Sequence, residues 1–493
     1  MEVGRTNRQA VGSPESLPVC MGHTFMDRCR PAPHQPPAAV PSPLSPSAVN
    51  AWTPSSWRDF DARQQPPFED GKELDRVLAE LCARPPLVTP WEIDRLQAQL
   101  AEAASGKRFL LQGGDCAERF EECRPDIIAN RLKVLLQMSL VLIYGLRLPV
   151  IRVGRFAGQY AKPRSAEFEG QNGEELPSYR GDIVNSPEFG RQARRPAPQR
   201  MLTAYERSAM TLNYVRALGD GGFADLHHPE NWDLGFVTSD RLRAEYQAIV
   251  DAIMEALRFM EAVSPNPISE TDRVSFFTSH EALLLPYEEA FTRAAHDGHY
   301  NLSTHFPWIG KRTNRPDGAH VEYMRGLRNP IGLKVGPDQS MSDLRSVLGH
   351  LDPDRVPGRV TLITRLGTER IGDVLPRLID MVAATDHPVL WICDPMHGNT
   401  ISLDNGLKTR RFEHILSELE QAFDIHHAAG SILGGVHLEL TGENVTECTG
   451  GARGLGEDDL LEHYETQVDP RLNAEQSLEL AFSIVRKCRM MRA

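Results

Sequence analysis

Residues 388–400 of this 493-residue chain read PVLWICDPMHGNT. An apolar run at 389–392 leads into the polar residues Cys393, Asp394, His397 and Asn399. A parallel strand that is buried on both faces has such an unbroken apolar run, and the turn after a barrel strand is where catalytic residues are placed. The stretch therefore predicts a buried strand that ends at a candidate site. The alternative interpretation is a plain turn at Asp394, with His397 capping a helix.

Seven further segments repeat this plan of an apolar run followed by glycine or charged residues. With the first, the predicted strands are residues 108–114, 149–154, 274–279, 300–304, 331–335, 360–364, 389–392 and 432–440. Most of the intervening segments are long enough for a crossover helix. Eight strand–helix units predict an α/β fold, a closed (β/α)8 TIM barrel, with its active site at the C-terminal ends of the strands.

The remaining segments predict additions to this barrel. Residues 1–51 include the proline-rich run PAPHQPPAAVPSPLSPSA and are expected to form a disordered tail; a docking or targeting segment is the alternative. Residues 52–493 are expected to form one catalytic domain. Helical periodicity at 72–82 and 91–104 predicts an N-terminal helical extension, and runs at 202–218 and 239–263 predict a helical insertion between strands two and three.

Composition and charge exclude several classes of protein. The net charge of −13 argues against general binding to nucleic acid or to anionic membranes. We expect no membrane span, because no apolar run approaches the roughly 20 residues that one requires. The eight cysteines are scattered and form no CxxC pair, which predicts free thiols in a reducing compartment and a cytoplasmic protein.

Positively charged residues gather at the predicted strand ends. Arg155, Lys334 and Arg365 lie on or just after strands, and Lys162, Arg164, Lys311 and Arg312 lie in nearby loops. The planar fork of arginine binds two oxygens of a carboxylate or phosphate at once. This set predicts a substrate with more than one anionic group. The alternative is that several of these residues are surface charges or members of ion pairs.

A second set combines a thiol, an imidazole and two carboxylates. Its members are Cys116, His397, Glu439 and Asp469. These groups can bind a divalent transition metal. No local spacing motif joins them, so purely structural roles for the cysteine and the two acids stay open.

Ten segments together resemble type II 3-deoxy-D-arabino-heptulosonate 7-phosphate (DAHP) synthase, the first enzyme of the shikimate pathway. They follow that family's order from about Trp52 to the C-terminus. The segments are GGDCAE (113–118), GRFAGQYAKPRS (154–165), YRGDIVN (179–185), GFADLHHPENW (222–232), TSHEALLLPYE (278–288), DGAHVEYMRGLRNPIGLKVGP (317–337), TLITRLG (361–367), CDPMHGNT (393–400), HLELTGENVTEC (437–448) and DPRLN (469–473).

The resemblance implies a metal-dependent condensation of phosphoenolpyruvate with erythrose 4-phosphate that releases phosphate. It implies that Cys116, His397, Glu439 and Asp469 bind the metal, Mn²⁺ or else Co²⁺ or another transition metal. It assigns Arg155, Arg312, Lys334 and Arg365 to phosphoenolpyruvate, and Lys162, Arg164, Ser165 and Asn185 to erythrose 4-phosphate. Within these sets Lys334, Arg155 and His397 are the expected catalytic residues. It also implies a homo-oligomer, a dimer or a tetramer.

One position departs from the family pattern and keeps other functions open. Lys311 stands where the family commonly has an acidic residue. This difference is consistent with neutral drift or with a specialised secondary-metabolism paralogue, such as an amino-DAHP synthase. A non-catalytic regulatory paralogue is a further alternative. So is another barrel lyase or aldolase, in which Lys334 would form a Schiff base.

The tail is predicted to be dispensable for chemistry. Its prolines deny it regular hydrogen bonding, and every residue given a role lies beyond Leu110. A chain that starts at Ala51 should fold and keep its kcat/KM within about twofold of the full chain. A truncated protein that is folded and metal-loaded yet inactive would place the tail in the catalytic machinery.

Overall fold

The computed structural model describes residues 51–171, 173–221, 237–263 and 275–492. The tail predicted at 1–51 lies outside the described residues except for Ala51, and so does the family-like segment 222–232.

Fourteen strands occur in the described residues, and eight of them close a parallel barrel. In chain order they are β1 (Phe109–Gly114), β2 (Val150–Arg155), β3 (Phe168–Gln171), β4 (Glu174–Pro177), β5 (Phe276–Glu281), β6 (Thr292–Ala295), β7 (Gly298–Asn301), β8 (Phe306–Ile309), β9 (Ile331–Val335), β10 (Val360–Thr364), β11 (Leu390–Cys393), β12 (Thr400–Ser402), β13 (Lys408–Arg410) and β14 (Leu433–Glu439). The barrel consists of β1, β2, β5, β8, β9, β10, β11 and β14, and it closes where β14 pairs with β1. The predicted TIM barrel is confirmed.

The fourth barrel strand is not the one that the sequence predicted. Residues 300–304 were expected to form it, but β8 does, and residues 300 and 301 belong instead to the hairpin of β6 and β7. Pro307 lies inside β8 and pairs in register with His280 of β5. A proline inside an apolar run argues against a central strand, which is why this short strand escaped the pattern.

Twelve helices surround the barrel in the described residues. They are α1 (Gly71–Ala83), α2 (Pro90–Ala104), α3 (Pro125–Leu146), α4 (Arg191–Arg194), α5 (Gln199–Asp220), α6 (Asp240–Val263), α7 (Leu285–Ala290), α8 (Ala319–Arg325), α9 (Met341–Leu351), α10 (Ile371–Ala383), α11 (Phe412–Ala428) and α12 (Ala474–Arg492). The N-terminal helical extension is confirmed by α1 and α2. The insertion between barrel strands two and three holds the β3–β4 hairpin, α4, and the predicted helices α5 and α6.

Helix α2 closes the end of the barrel opposite the site. Its apolar residues Leu96, Leu100 and Ala103 are fully buried and pack against side chains inside the barrel, among them Leu110 and Ile392. The helix begins with a capping box between Thr89 and Glu92, which satisfies backbone N–H groups at its first turn.

By length and composition, α3 could span a membrane, contrary to the prediction that no segment approaches that length. However, 67% of its apolar window is buried inside the fold, where it packs mainly against α12. Arg131 on this helix forms buried ion pairs with Asp115 and Glu122. These contacts are those of the core helix of a soluble protein.

Truncation of the α2 plug should destabilise the barrel. Leu100→Ala removes a fully buried side chain and leaves a cavity, so we expect a loss of about 2–5 kcal/mol in the free energy of unfolding. Trp91→Ala on the same helix is the control, because Trp91 is 73% exposed and should cost much less. Thermal and urea unfolding measure both; equal effects would contradict a role for α2 as a plug.

Candidate active site

The C-terminal ends of the barrel strands surround one cavity of about 400 Å³. Arg155 ends β2, Glu281 ends β5, Lys334 lies in β9 and Glu439 ends β14. Ten of the twelve site residues expected from the sequence line this cavity: Cys116, Arg155, Lys162, Arg164, Ser165, Arg312, Lys334, Arg365, His397 and Asp469. Barrel closure therefore brings together residues that are hundreds of positions apart in the chain.

The expected metal ligands meet at one side of this cavity. Ligand atoms of Cys116, Glu439 and Asp469 all lie within 4.8 Å of one another, and Nε2 of His397 is 2.9 Å from Oε1 of Glu439. A thiolate, an imidazole and two carboxylates supply the sulfur, nitrogen and oxygen donors that divalent transition metals such as Mn²⁺, Co²⁺ and Zn²⁺ bind. The residues fit a divalent metal.

The positively charged ammonium of Lys162 lies among these donors. Its Nζ is 2.5 Å from Sγ of Cys116, 2.6 Å from Oδ2 of Asp469 and 3.9 Å from Oε1 of Glu439. The three acidic groups hold the pKa of Lys162 above its usual value, although burial alone would lower it. The donor set therefore stabilises a cation at this position, which supports the fit of these residues to a metal ion.

The fully buried carboxylate of Glu439 is paired on both oxygens. Arg155 donates to Oε1 at 3.0 Å and Arg410 donates to Oε2 at 2.7 Å. Burial alone would raise the pKa of Glu439, but His397, Arg410, Lys162 and Arg155 hold it well below its usual range. The carboxylate is therefore ionised and ready to act as a ligand.

Asp394 fixes two of the site residues at once. It is fully buried, its Oδ2 lies 2.7 Å from Nδ1 of His397, and the same oxygen accepts a hydrogen bond from Lys334. A carboxylate on Nδ1 leaves Nε2 of the imidazole free to bind a metal. His397 and Lys334 hold the pKa of Asp394 well below its usual range against the opposing effect of burial.

Burial makes Lys334 easier to deprotonate than an ordinary lysine. It lowers the pKa of Lys334 to about 8, and the attraction of Asp394 only partly opposes the effect. The Nζ atom lies 5.9 Å from the centre of the Trp308 ring, and the guanidinium of Arg155 lies 5.3 Å from it. Two buried cations over one aromatic ring are arranged to attract an anion.

Arg155 is oriented from inside the barrel. Its Nη1 lies 2.7 Å from Nε2 of His437, whose Nδ1 lies 2.8 Å from Oε1 of Gln112. Because arginine can only donate, His437 accepts through Nε2 and donates through Nδ1. Burial and the nearby charges of Lys334 and Arg155 lower the pKa of His437 well below its usual range, so the imidazole stays neutral.

The loop residues behave differently from one another. Lys162, Arg164 and Ser165 line the cavity, and Arg312 donates to Oγ of Ser165 at 2.6 Å. Asn185 does not line it in the described structure. The Asn185 side chain instead accepts from the backbone N–H of residue 180 and donates to two backbone carbonyls, so its contacts hold the loop together.

Three residues that the sequence analysis did not assign belong to the site. They are Glu281, Asp394 and Arg410. Glu281 is buried, and its Oε1 has no hydrogen-bond partner among the described residues. Burial raises its pKa, while Lys162, Lys334, Arg312 and Arg155 oppose that rise. Only the position of Glu281 directly after the third predicted strand signalled it in the sequence.

The family profile and the two sequence relatives indicate the same family. The profile of the class-II DAHP synthetase family matches residues 52–485. A phospho-2-dehydro-3-deoxyheptonate aldolase from Neurospora crassa is 49% identical over 451 residues, 88% of this chain and 93% of the relative. One of the same name from Streptomyces coelicolor is 48% identical over 447 residues, 90% of this chain and 98% of the relative. The crystal structure of a DAHP synthase from Thermotoga maritima has a TM-score of 0.32 and 11% identity, over 78% of this chain and 70% of that one.

Removal of the Cys116 thiol should weaken metal binding. Burial raises the pKa of this thiol, so a divalent cation must displace its proton on binding. Cys116→Ala should weaken Mn²⁺ affinity at least about tenfold, measured by electron paramagnetic resonance. Cys123→Ala removes a free thiol outside the cavity and should change nothing. Unchanged affinity in Cys116→Ala would remove this residue from the ligand set.

Proposed function

This chain belongs to the class-II DAHP synthetase family, and we propose how the side chains at its barrel rim carry out that family's reaction. It is a 3-deoxy-7-phosphoheptulonate synthase, which condenses phosphoenolpyruvate with erythrose 4-phosphate to DAHP and phosphate at the start of the shikimate pathway. The residue assignments rest on one observation: a thiol–imidazole–carboxylate set and four anion-binding cations face the same cavity.

Arg155, Arg312, Lys334 and Arg365 bind phosphoenolpyruvate in this proposal. The substrate carries a carboxylate and a phosphate, and cations on several strands can hold both groups together. Lys162, Arg164 and Ser165 bind erythrose 4-phosphate from the adjacent loop. Fixing two mutually repelling anions in attack geometry is the proximity contribution to catalysis. Asn185 stays a prediction for this substrate, and in the structure its side chain bonds to backbone groups of the loop.

Cys116, His397, Glu439 and Asp469 would hold the divalent metal, which we propose is Mn²⁺. Bound there, the metal supplies Lewis acidity toward the aldehyde oxygen of erythrose 4-phosphate. Lys162 lies among these residues and also lines the cavity, so in this proposal its ammonium would serve the sugar phosphate once a metal were held by the four ligands.

The bond-forming steps need charge and proton control from the protein. C3 of phosphoenolpyruvate attacks the aldehyde carbon, and positive charge develops at C2. We assign Glu281 to the water that adds at C2, because this residue lines the cavity and its buried Oε1 has no hydrogen-bond partner among the described residues. The hemiketal phosphate then collapses with cleavage of the C2–O bond. Lys334 carries a proton near its pKa of about 8 that can be transferred at this stage.

The wider setting is also part of the proposal. The enzyme is a soluble protein, and we place it in the cytoplasm as a homo-oligomer, a dimer or a tetramer. The presence of Lys311 in the cavity wall favours a second candidate, a paralogue that uses an amino analogue of erythrose 4-phosphate.

Product identification tests the function directly. The Mn²⁺-loaded protein is given phosphoenolpyruvate with erythrose 4-phosphate and its amino analogue in competition, and the products are resolved by mass spectrometry. We expect DAHP and one phosphate per turnover, both abolished by a chelator. Preferential formation of the amino product would establish the specialised function. Neither product from a folded, metal-loaded protein would refute both, and borohydride trapping would then test Lys334 as a Schiff base.

Phosphoenolpyruvate affinity should fall as the pH rises through about 8. Lys334 has a pKa of about 8 in the free protein, so its positive charge is present below that pH and is lost above it. Binding can be followed by Trp308 fluorescence without the aldehyde. The dissociation constant should rise about tenfold per pH unit above 8 if the ammonium is required. Lys334→Arg keeps its charge and should abolish this rise; a rise that persists would locate the titrating group elsewhere.

A further inference from the structure

A second cavity adjoins the active site and has no role in the reaction as described so far. Its volume is about 330 Å³, and it lies between the loops after β10 and β11. Lys311, Arg365, His397 and Thr400 line both cavities. Of the cations assigned to phosphoenolpyruvate, Arg365 alone faces the two. An anion held by Arg365 therefore lies at the boundary with the second cavity.

The charges around the second cavity favour an anion. Lys311, Arg365 and Arg370 line it, whereas Glu369 is the only acidic residue among the described residues that do so. Two of these cations hold the carboxylate of Asp338 between them. Nζ of Lys311 lies 3.3 Å from its Oδ2, and Nη1 of Arg370 lies 2.7 Å from its Oδ1. Arg365 donates to the backbone carbonyl of His397 at 2.8 Å.

Specific contacts hold the loops that line the second cavity in place. The fully buried Glu418 accepts from the backbone N–H of Leu366 at 2.8 Å and from the side-chain amide of Asn399 at 2.7 Å. It thereby ties together the loop that carries Arg365 and the loop that carries His397. The stem of Lys311 crosses Gly336, where an added Cβ would lie 2.6 Å from Cε. Glycine thus leaves room for the lysine at this point.

We propose that the second cavity is an anion subsite that receives the inorganic phosphate as it leaves, an inference that rests on the function proposed above. In the last step the C2–O bond breaks, its electron pair stays on the phosphate oxygen, and the C2 hydroxyl loses its proton to leave a ketone. The phosphate is then a free dianion beside Arg365, while the seven-carbon product fills the first cavity. Lys311 and Arg370 exchange Asp338 for phosphate oxygens and draw the anion outward.

Lys311 gains a role in this proposal. Its positive charge attracts a departing phosphate dianion. Lys311 therefore acts on product release in this proposal, whichever aldehyde the enzyme uses.

Orthophosphate binding in the presence of phosphoenolpyruvate is the test. The Mn²⁺-loaded enzyme is saturated with phosphoenolpyruvate and with erythritol 4-phosphate, which fills the sugar-phosphate site but has no aldehyde, so that no turnover occurs. Radiolabelled orthophosphate is then added by equilibrium dialysis. The subsite should still bind about one phosphate per chain. Lys311→Met and Arg370→Met should each weaken this binding about fivefold or more. Arg345→Met removes an equal charge from an exposed position on α9 outside both cavities and should leave it within about twofold.

Two outcomes would overturn the subsite. Phosphoenolpyruvate and erythritol 4-phosphate could together displace all bound phosphate, which would mean that phosphate occupies the two substrate sites only. Alternatively, Arg370→Met could bind phosphate as tightly as the wild type. Because dialysis involves no turnover, its result is independent of whether DAHP is formed. Absence of DAHP in the product assay would refute the function, and loss of dialysis binding alone would refute the subsite.

Discussion

The buried carboxylate of Glu439 is the constraint on which the rim of this barrel depends. An isolated charge at such a position would cost several kcal/mol, so each oxygen requires a partner. Arg410 and Arg155 provide them from β13 and β2, and His397 approaches from the loop after β11. One acidic side chain therefore fixes the arginine that we propose binds the anionic substrate and the histidine that we propose binds the metal in relation to each other. The closing strand of the barrel is also the electrostatic centre of the site.

Most of the fold could be predicted from the sequence, because parallel barrel strands have a simple physical signature. Strands buried on both faces, such as β9 and β10, read as short apolar runs followed by charged or glycine residues. The exception, β8, is four residues long and contains Pro307. A polar segment just before it, at 300–304, imitated a strand because part of it pairs in a local hairpin. Residues 306–309 form the barrel strand because they pair with β5 and β9, and no local sequence pattern encodes such pairing.

The site could be predicted only as far as residue type and strand ends allow. Cys116, Glu439 and Asp469 do lie together, but their separation in the chain gave no spacing motif, so only the resemblance could assign them as metal ligands. Asn185 was predicted to lie near the sugar phosphate, and in the structure its amide forms three hydrogen bonds to backbone groups. Asp394 and Arg410 act through other side chains, so their importance becomes visible only when the contacts are known.

The closing pair of strands has a consequence for how the protein matures. Leu110 of β1 pairs with Gly435 of β14, and Cys116 meets Asp469 across 353 positions of the chain. Contacts of such long range form late, because the entropy of closing the intervening chain must be overcome first. During synthesis, almost the whole polypeptide must leave the ribosome before the four proposed ligands can meet. Acquisition of the metal is thus tied to completion of the barrel, and an unfinished chain cannot present the full ligand set to the cell's metal pool.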